Sequence, residues 1–343
     1  MKAIAVYQYK AADSSDCFVE FNLEKPQPKA KDLLVKVKAV SVNPVDYKVR
    51  SSIKEKLDVP RILGWDAAGI VEQVGSDVSL FKPGDEVYYA GNIACPGSNS
   101  QYQLVDERIV GRKPSSLSFE AAAALPLTTL TAWEGLFERL GIEPNKTNKN
   151  AASKLLIIGG AGGVGSIAIQ IAKQVAGLQV IATASRPESI EWCKKMGADL
   201  TINHHQPFKT ELATIGVSEV DYILCCNDTE QHWQNMADVI KPQGKICSIV
   251  ETKNPLNLNL LQWKSVTFAW EFMYTKPLYE TEDIQSQHDL LDRVSKLIDQ
   301  QILQSTMTEN LGALSAISLA KAHAQLESGR TIGKLVLTEI ESE

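Results

Sequence analysis

The chain has 343 residues, 35 Lys and Arg against 41 Asp and Glu, a formal net charge of −6, and 44% hydrophobic residues. That length exceeds what one core normally fills, so two domains are expected, and the ordinary composition excludes disordered and fibrous classes. An acidic balance without a Lys/Arg block argues against a nucleic-acid-binding surface.

The start, MKAIAVYQYK, lacks the apolar core and cleavage site of a secretory signal, and no later stretch is apolar enough to span a membrane. A cytoplasmic protein is expected. In DLLVKVKAV, Val35, Val37 and Ala39 alternate with Lys36 and Lys38, as in a half-buried strand. GIVEQVG and FKPGDEVYYAG follow, with Pro83-Gly84-Asp85 supplying turn chemistry. Short strands punctuated by Gly and Pro point to a compact barrel-like domain.

After about residue 120 the pattern changes. SFEAAAALPLTTLTAWEGLFERLG reads as helix, broken or kinked at Pro126, and PNKTNKNAAS reads as a polar loop. Then strands and helices alternate: KLLIIGG, VGSIAIQIAKQVA, QVIATA, ESIEWCKKMGA, VDYILCC, TEQHWQNMADVI, GKICSIV. This rhythm predicts an α/β unit, a parallel sheet covered on both faces, over residues 126–265. The six cysteines form no CxxC pair and read as reduced thiols, not a disulfide framework. In the tail, Leu290, Val294, Leu297 and Ile298 share one helical face, a second helix ends at Gly329, and GKLVLTE reads as a strand. Residues 266–343 are expected to complete the domain begun by 1–125.

Gly160-Ala161-Gly162-Gly163-Val164-Gly165 matches G-x-G-x-x-G between a predicted strand and helix. Glycine permits the tight turn and close approach of a pyrophosphate, and the helix start offers free N–H groups. An NAD site would carry Asp or Glu about 20 residues on. Here Ser185 and Arg186 stand at that strand end, a hydroxyl and a guanidinium suited to a 2′-phosphate, so NADP(H) is the expected cofactor.

Together NPVD (43–46), LGWDAAGIVEQVG (63–75), FKPGDEV (81–87), GGAGGVG (159–165) and the terminal GKLVL resemble the medium-chain dehydrogenase/reductase superfamily over essentially the whole chain. The likeness is nearest to zinc-type alcohol dehydrogenase-like proteins and quinone oxidoreductases. It implies a Rossmann dinucleotide-binding domain interrupting a GroES-like β-barrel catalytic domain, and a homodimer in which 266–273 supplies an edge strand. At the positions of the family's three catalytic-zinc ligands this chain carries Asn43, Trp65 and, near the third, Leu127. These cannot supply a zinc ligand set, so zinc is not expected.

Without a Lewis acid, conjugated acceptors are easier to reduce than simple ketones, because the added charge spreads to a remote oxygen. The expected reaction is NADPH-dependent reduction of quinones or α,β-unsaturated carbonyls. The alternatives are an NADPH-binding protein with little turnover and a zinc-dependent alcohol dehydrogenase. The resemblance puts Asn43 near the nicotinamide and substrate carbonyl, with Asp46 behind it. Lys48 falls where relatives carry a proton-relay His or a Tyr, Tyr47 is the substitute donor, and Trp65 forms a pocket wall. For cofactor contacts it implies Thr131, His204, Asn227, Ser248, Val250, Arg330 and Lys334.

Overall fold

The structure is a computed structural model, described here for residues 1–14 and 16–341. The strands run in chain order as β1 (Lys2–Val6), β2 (Val19–Asn22), β3 (Asp32–Ser41), β4 (Arg61–Ile62), β5 (Asp66–Val74), β6 (Glu86–Tyr89), β7 (Tyr102–Asp106) and β8 (Val110–Arg112). There follow β9 (Lys154–Ile158), β10 (Gln179–Thr183), β11 (Leu200–Ile202), β12 (Val220–Cys225), β13 (Ile240–Ser248), β14 (Thr267–Trp270), β15 (Met307–Ala313) and β16 (Lys334–Thr338). The chain divides into two compact units, Met1–Leu127 with Tyr274–Glu343, and Thr128–Met273.

The first unit is built on a sheet of order β15-β16-β3-β5-β6-β8, with β7 also on β3 and a separate β2-β1-β4 sheet. Val35, Val37 and Ala39 are buried, and so is Leu34 on the opposite, lysine-bearing face of β3. The tail helix Ser286–Asp299 buries Leu290, Leu291, Val294 and Ile298. It packs so closely that a Cβ on Gly111 of β8 would lie 2.4 Å from Leu291 Cβ. Tyr88 donates its hydroxyl to the Leu291 carbonyl at 2.7 Å.

The second unit holds a six-stranded sheet of order β11-β10-β9-β12-β13-β14, parallel throughout. Central β9 is buried from Leu155 to Ile158, as the unbroken apolar run requires of a strand covered on both faces. Leu156, Ile181, Ile223, Ile246, Phe208 and Met236 share one core cluster.

Two sequence expectations are corrected, and the helix break expected at Pro126 is present. Residues 266–273 belong to the second unit, because Phe268 and Trp270 on β14 pair in register with Ile246 and Ser248 on β13. PNKTNKNAAS contains a helical turn, Asn148–Ala152, capped by the Thr147 hydroxyl. The helices entering this unit are not uniform: Pro126 starts a helix at its first position, and both Glu134–Arg139 and Ile171–Ala176 are π-helical. Leu140 N–H bonds Gly135 C=O, five residues back, at 3.0 Å. Strand β15, MTENLGA, alternates half-buried and exposed residues and carries no apolar run to announce it.

Candidate functional site

In the second unit β9 ends at Ile158 and the chain turns through Gly159, whose φ is +80°. Thr183 at the end of β10 fixes that turn, accepting Gly159 N–H on Oγ1 at 3.0 Å and Gly160 N–H on its carbonyl at 3.2 Å. Two of the glycines are sterically required. A Cβ on Gly160 would sit 2.7 Å from Ala182 Cβ, and one on Gly165 would sit 2.3 Å from Gly159 O. The next helix opens at Gly163, and its first internal bond runs from Ser166 N–H to Gly162 C=O at 2.9 Å. The N–H groups of Gly163 and Val164 thus lie in the turn where a helix has no internal acceptors to offer. Gly162, Gly163 and Val164 are only half-buried. This cradle fits a pyrophosphate, with bare backbone facing it and helix-start donors behind.

Neighbouring strand ends supply the surroundings. Ser185 and Arg186 follow β10 and are half-buried; Arg186 caps the helix Pro187–Met196, its N–H bonded to Ser189 Oγ at 3.1 Å and Nη1 3.5 Å from Glu188. Parallel pairing of Thr183 with Ile202 sets His204, two residues past β11, beside that end. Burial, then His205 and Arg186, hold the His204 imidazole below its usual range. The exposed Asn227, past β12, lies over Gly159, its Cβ 3.1 Å from where a Gly159 Cβ would be. The sequence-predicted Gly160–Gly165, Ser185, Arg186, His204 and Asn227 are therefore gathered at the carboxyl ends of four adjacent strands. These residues fit an adenosine dinucleotide, with Arg186 the group suited to a 2′-phosphate.

Other expected cofactor residues stand differently. Ser248 is fully buried. Its hydroxyl is bonded to Thr229 and its carbonyl accepts Glu271 N–H at 2.9 Å, so its side chain braces the strand end. Thr229 also donates to the Val250 carbonyl at 2.5 Å, which fixes the half-buried Val250 turn. Thr131 is buried in the helix Pro126–Trp133. Arg330, in the first unit, is exposed.

The first unit contains a buried polar cluster. Asn43, in extended backbone, caps the helix Pro44–Ser52; Pro44 presets its first turn, and the Asp46 carboxylate accepts the Asn43 N–H at 2.8 Å. Asn43 Nδ2 donates to Asp66 Oδ2 at 2.8 Å. The Leu127 N–H donates to Asp66 Oδ1 at 2.7 Å. Lys334 at the start of β16 donates its ammonium to Asp66 Oδ2 at 3.0 Å, Asn43 Oδ1 at 2.5 Å and Val42 O at 2.9 Å. This corrects the expectation that Lys334 reaches a cofactor phosphate: all three of its protons are engaged and it is 3% exposed.

Asp46 Oδ1 has no hydrogen-bond partner among the described residues. Its burial pushes the carboxyl up to about 7 against the opposing pull of Asn43 N–H and Lys334. Trp65 is fully buried, its ring edge-on to Tyr274 at 6.2 Å between centroids. Tyr47 and Lys48, on the same helix as Asp46, are half-buried.

Sequence reasoning missed Tyr274, whose phenol is raised well above its usual range by burial, Asp46 and Asp66. It also missed Arg50, fully buried and paired with Glu327. Arg50 follows Asp46 by four residues on one helix face, a signal that was available. In the second unit it missed the buried Glu271, which neighbours Glu134 and lies 2.8 Å from Arg139 Nε; burial and Glu134 raise its carboxyl.

The family profile "Alcohol dehydrogenase GroES-like domain" matches residues 29–125, and "Zinc-binding dehydrogenase" matches 163–293. A zinc-type alcohol dehydrogenase-like protein of Staphylococcus epidermidis is 45% identical over 98% of this chain and 99% of its own length. The 2-methylene-furan-3-one reductase of Solanum lycopersicum is 31% identical over 99% of this chain and 79% of its own. A crystal structure from Rhizobium etli CFN 42, assigned provisionally to the zinc-dependent alcohol dehydrogenases, superposes with TM-score 0.94 at 45% identity, covering 100% and 99% of the two chains.

The zinc in these family names does not fit the residues present. Asn43 and Asp66 are bonded to an ammonium, Trp65 and Leu127 offer no donor, and no group of three or more His, Cys, Asp or Glu among the described residues could hold a metal. Two profiles in the expected order, a relative aligned end to end and a parallel dinucleotide cradle lead to one family: the chain belongs to the medium-chain dehydrogenase/reductase superfamily, with its zinc-type alcohol dehydrogenase-like proteins.

Proposed function

We propose that this chain is a zinc-independent, NADPH-dependent reductase of quinones or α,β-unsaturated carbonyls. The observation that carries the reading is Lys334, whose ammonium holds Asn43, at a position where the resemblance puts a metal ligand, and neutralises Asp66 beside the second such position, Trp65. A cation already balances the buried carboxylate, so a second one, Zn²⁺, would meet repulsion.

NADPH, when bound, supplies a hydride to an electrophilic carbon. The chain's own groups do the rest. The Gly160–Gly165 turn and the helix start would hold the pyrophosphate, and Arg186 would pair with the 2′-phosphate. On a conjugated acceptor, reduction at the β-carbon would leave enolate charge on the carbonyl oxygen and a proton still to be taken up at the α-carbon or that oxygen. Lys48 or Tyr47 then delivers the proton, the former also stabilising the enolate charge. The methylene-furanone named as substrate of the tomato relative agrees with a conjugated acceptor.

The test is oxidation of NADPH and NADH by metal-stripped protein across quinones, enones and simple aldehydes. NADPH-selective turnover of quinones or enones is expected. Activity that appears only on adding zinc would overturn the zinc-free reading; silence with or without zinc, with NADPH still bound, would identify a cofactor-binding protein.

A further inference from the structure

The second unit buries two carboxyl groups, Glu134 and Glu271, that no step of the proposed reaction uses. Glu134 opens the π-helical segment Glu134–Arg139, and Glu271 directly follows β14 at the edge of the parallel sheet. Gly135 lets the two elements meet. A Cβ there would lie 3.2 Å from Leu224 Cδ1, 3.7 Å from Cys247 Sγ and 3.9 Å from Glu271 Cγ. The two carboxyl groups are hydrogen-bonded to each other, and Arg139 Nε lies 2.8 Å from Glu271 Oε2.

A hydrogen bond between two carboxyl groups needs a proton on one of them, because an ionised carboxylate only accepts. Charge gives the same count. Two ionised carboxylates against one guanidinium would leave a net negative charge in a buried site, whereas one proton leaves the pair balanced by Arg139. Glu138, on the same π-helical segment, stands 3.8 Å from Arg139 Nη1 and adds further negative charge. Cys247 on β13 is the other titratable neighbour, its thiol pushed up by burial and by Glu271. Burial, then Glu134, hold the Glu271 carboxyl well above the usual carboxylate range, against the pull of Arg139.

Each side of this contact leads to a segment that the resemblance implies in cofactor binding. Thr131 precedes Glu134 on the helix Pro126–Trp133, which runs directly into the π-helical segment. Glu271 N–H donates to the Ser248 carbonyl at 2.9 Å, and Thr229 ties the Ser248 hydroxyl to the Val250 carbonyl. We infer that Glu134 and Glu271 share one proton and that, on the dinucleotide reading of the cradle, this proton latches the Thr131 helix to the Ser248–Val250 strand end and keeps both in place for the cofactor. Loss of the proton sets two negative charges against each other where no water screens them, and the π-helical segment parts from β14. Glu134 and Glu271 are thus positioning residues that act through Thr131 and Val250.

The experiment compares the full native chain with Glu271→Gln and Glu134→Gln. Either glutamine keeps the charge of the protonated pair, one carboxylate against Arg139, and supplies an amide donor to that carboxylate. Infrared difference spectra at about pH 8 should show one carboxylic-acid C=O band in the native chain that both variants lack, and this band should fade as the pH is raised to about 10. Over the same range NADPH affinity, read by fluorescence titration, should fall about tenfold more in the native chain than in either variant. Absence of the native-only acid band, or one common pH profile of NADPH affinity for all three proteins, would overturn the inference. Should the variants fail to fold, hydrogen exchange of the native chain decides: amides of residues 134–140 should gain exchange relative to those of β9 across that pH range, and a uniform change would overturn the latch. Absence of NADPH binding at every pH would remove the cofactor role together with the dinucleotide reading, while the acid band still settles the shared proton.

Discussion

Lys334 and Asp66, 268 residues apart in the chain, lie 3.0 Å apart from Nζ to Oδ2, and their side chains are 3% and 0% exposed. Removing one partner of a buried pair leaves an uncompensated charge, whereas removing both does not. Lys334→Met is expected to destabilise the chain by about 3–5 kcal/mol in denaturant unfolding. Adding Asp66→Asn to Lys334→Met should recover part of that loss. A double variant as unstable as the sum of the single variants would show that the pair is not coupled.

Asp46 gives a pH dependence of defined sign. Its folded value, about 7, lies above the 3.8 usual for an aspartate, so between those limits the native state binds more protons than the unfolded one. The contribution is fully present below about pH 4 and is lost as pH rises through 7. Asp46→Asn keeps an oxygen for the Asn43 N–H and cannot ionise. The melting temperature of this variant relative to the native chain should therefore rise from pH 4 to pH 8; a constant difference would contradict the assignment.

Arg186 is the expected discriminator between the two nicotinamide dinucleotides. Hydrogen bonds to charged groups contribute about 1.5–3 kcal/mol. Arg186→Ala should weaken NADPH by about tenfold to a hundredfold and leave NADH within a factor of about two, read by fluorescence titration. Equal losses for both would assign Arg186 to its capping role on the helix Pro187–Met196.

Gly165 tests the cradle itself. A Cβ at that position would lie 2.3 Å from the Gly159 carbonyl oxygen and 2.7 Å from Gly160 Cα, all backbone that cannot rotate away. Gly165→Ala should abolish NADPH binding and lower the melting temperature. Gly162→Ala, whose Cβ would meet only Gly159 O at 3.5 Å, should melt near the native value, and any loss of its NADPH binding would come from the side chain facing the phosphate.

The dinucleotide cradle was legible in sequence because its demands are local. Six consecutive residues between an apolar run and a helix state where backbone must come close, and Ser185-Arg186 lies at the next strand end. Strand and helix alternation gave the α/β unit for the same reason: period and turn chemistry are written within ten or so residues. The limit shows at 266–273, an aromatic stretch whose unit depends on pairing with β13, a partner its own sequence does not name.

The buried cluster was not legible. Asn43, Asp66, Leu127 and Lys334 come from four separate segments, and Lys334 carries the same local signature as a solvated lysine at a strand start. By itself the sequence determined which residue types stand at the family's ligand positions and that a glycine-rich turn joins a strand to a helix, since both depend on residue type and neighbouring spacing. Only the tertiary structure decided what occupies the ligands' place, because which charge neutralises a buried carboxylate depends on what long-range packing brings within about 3 Å of it.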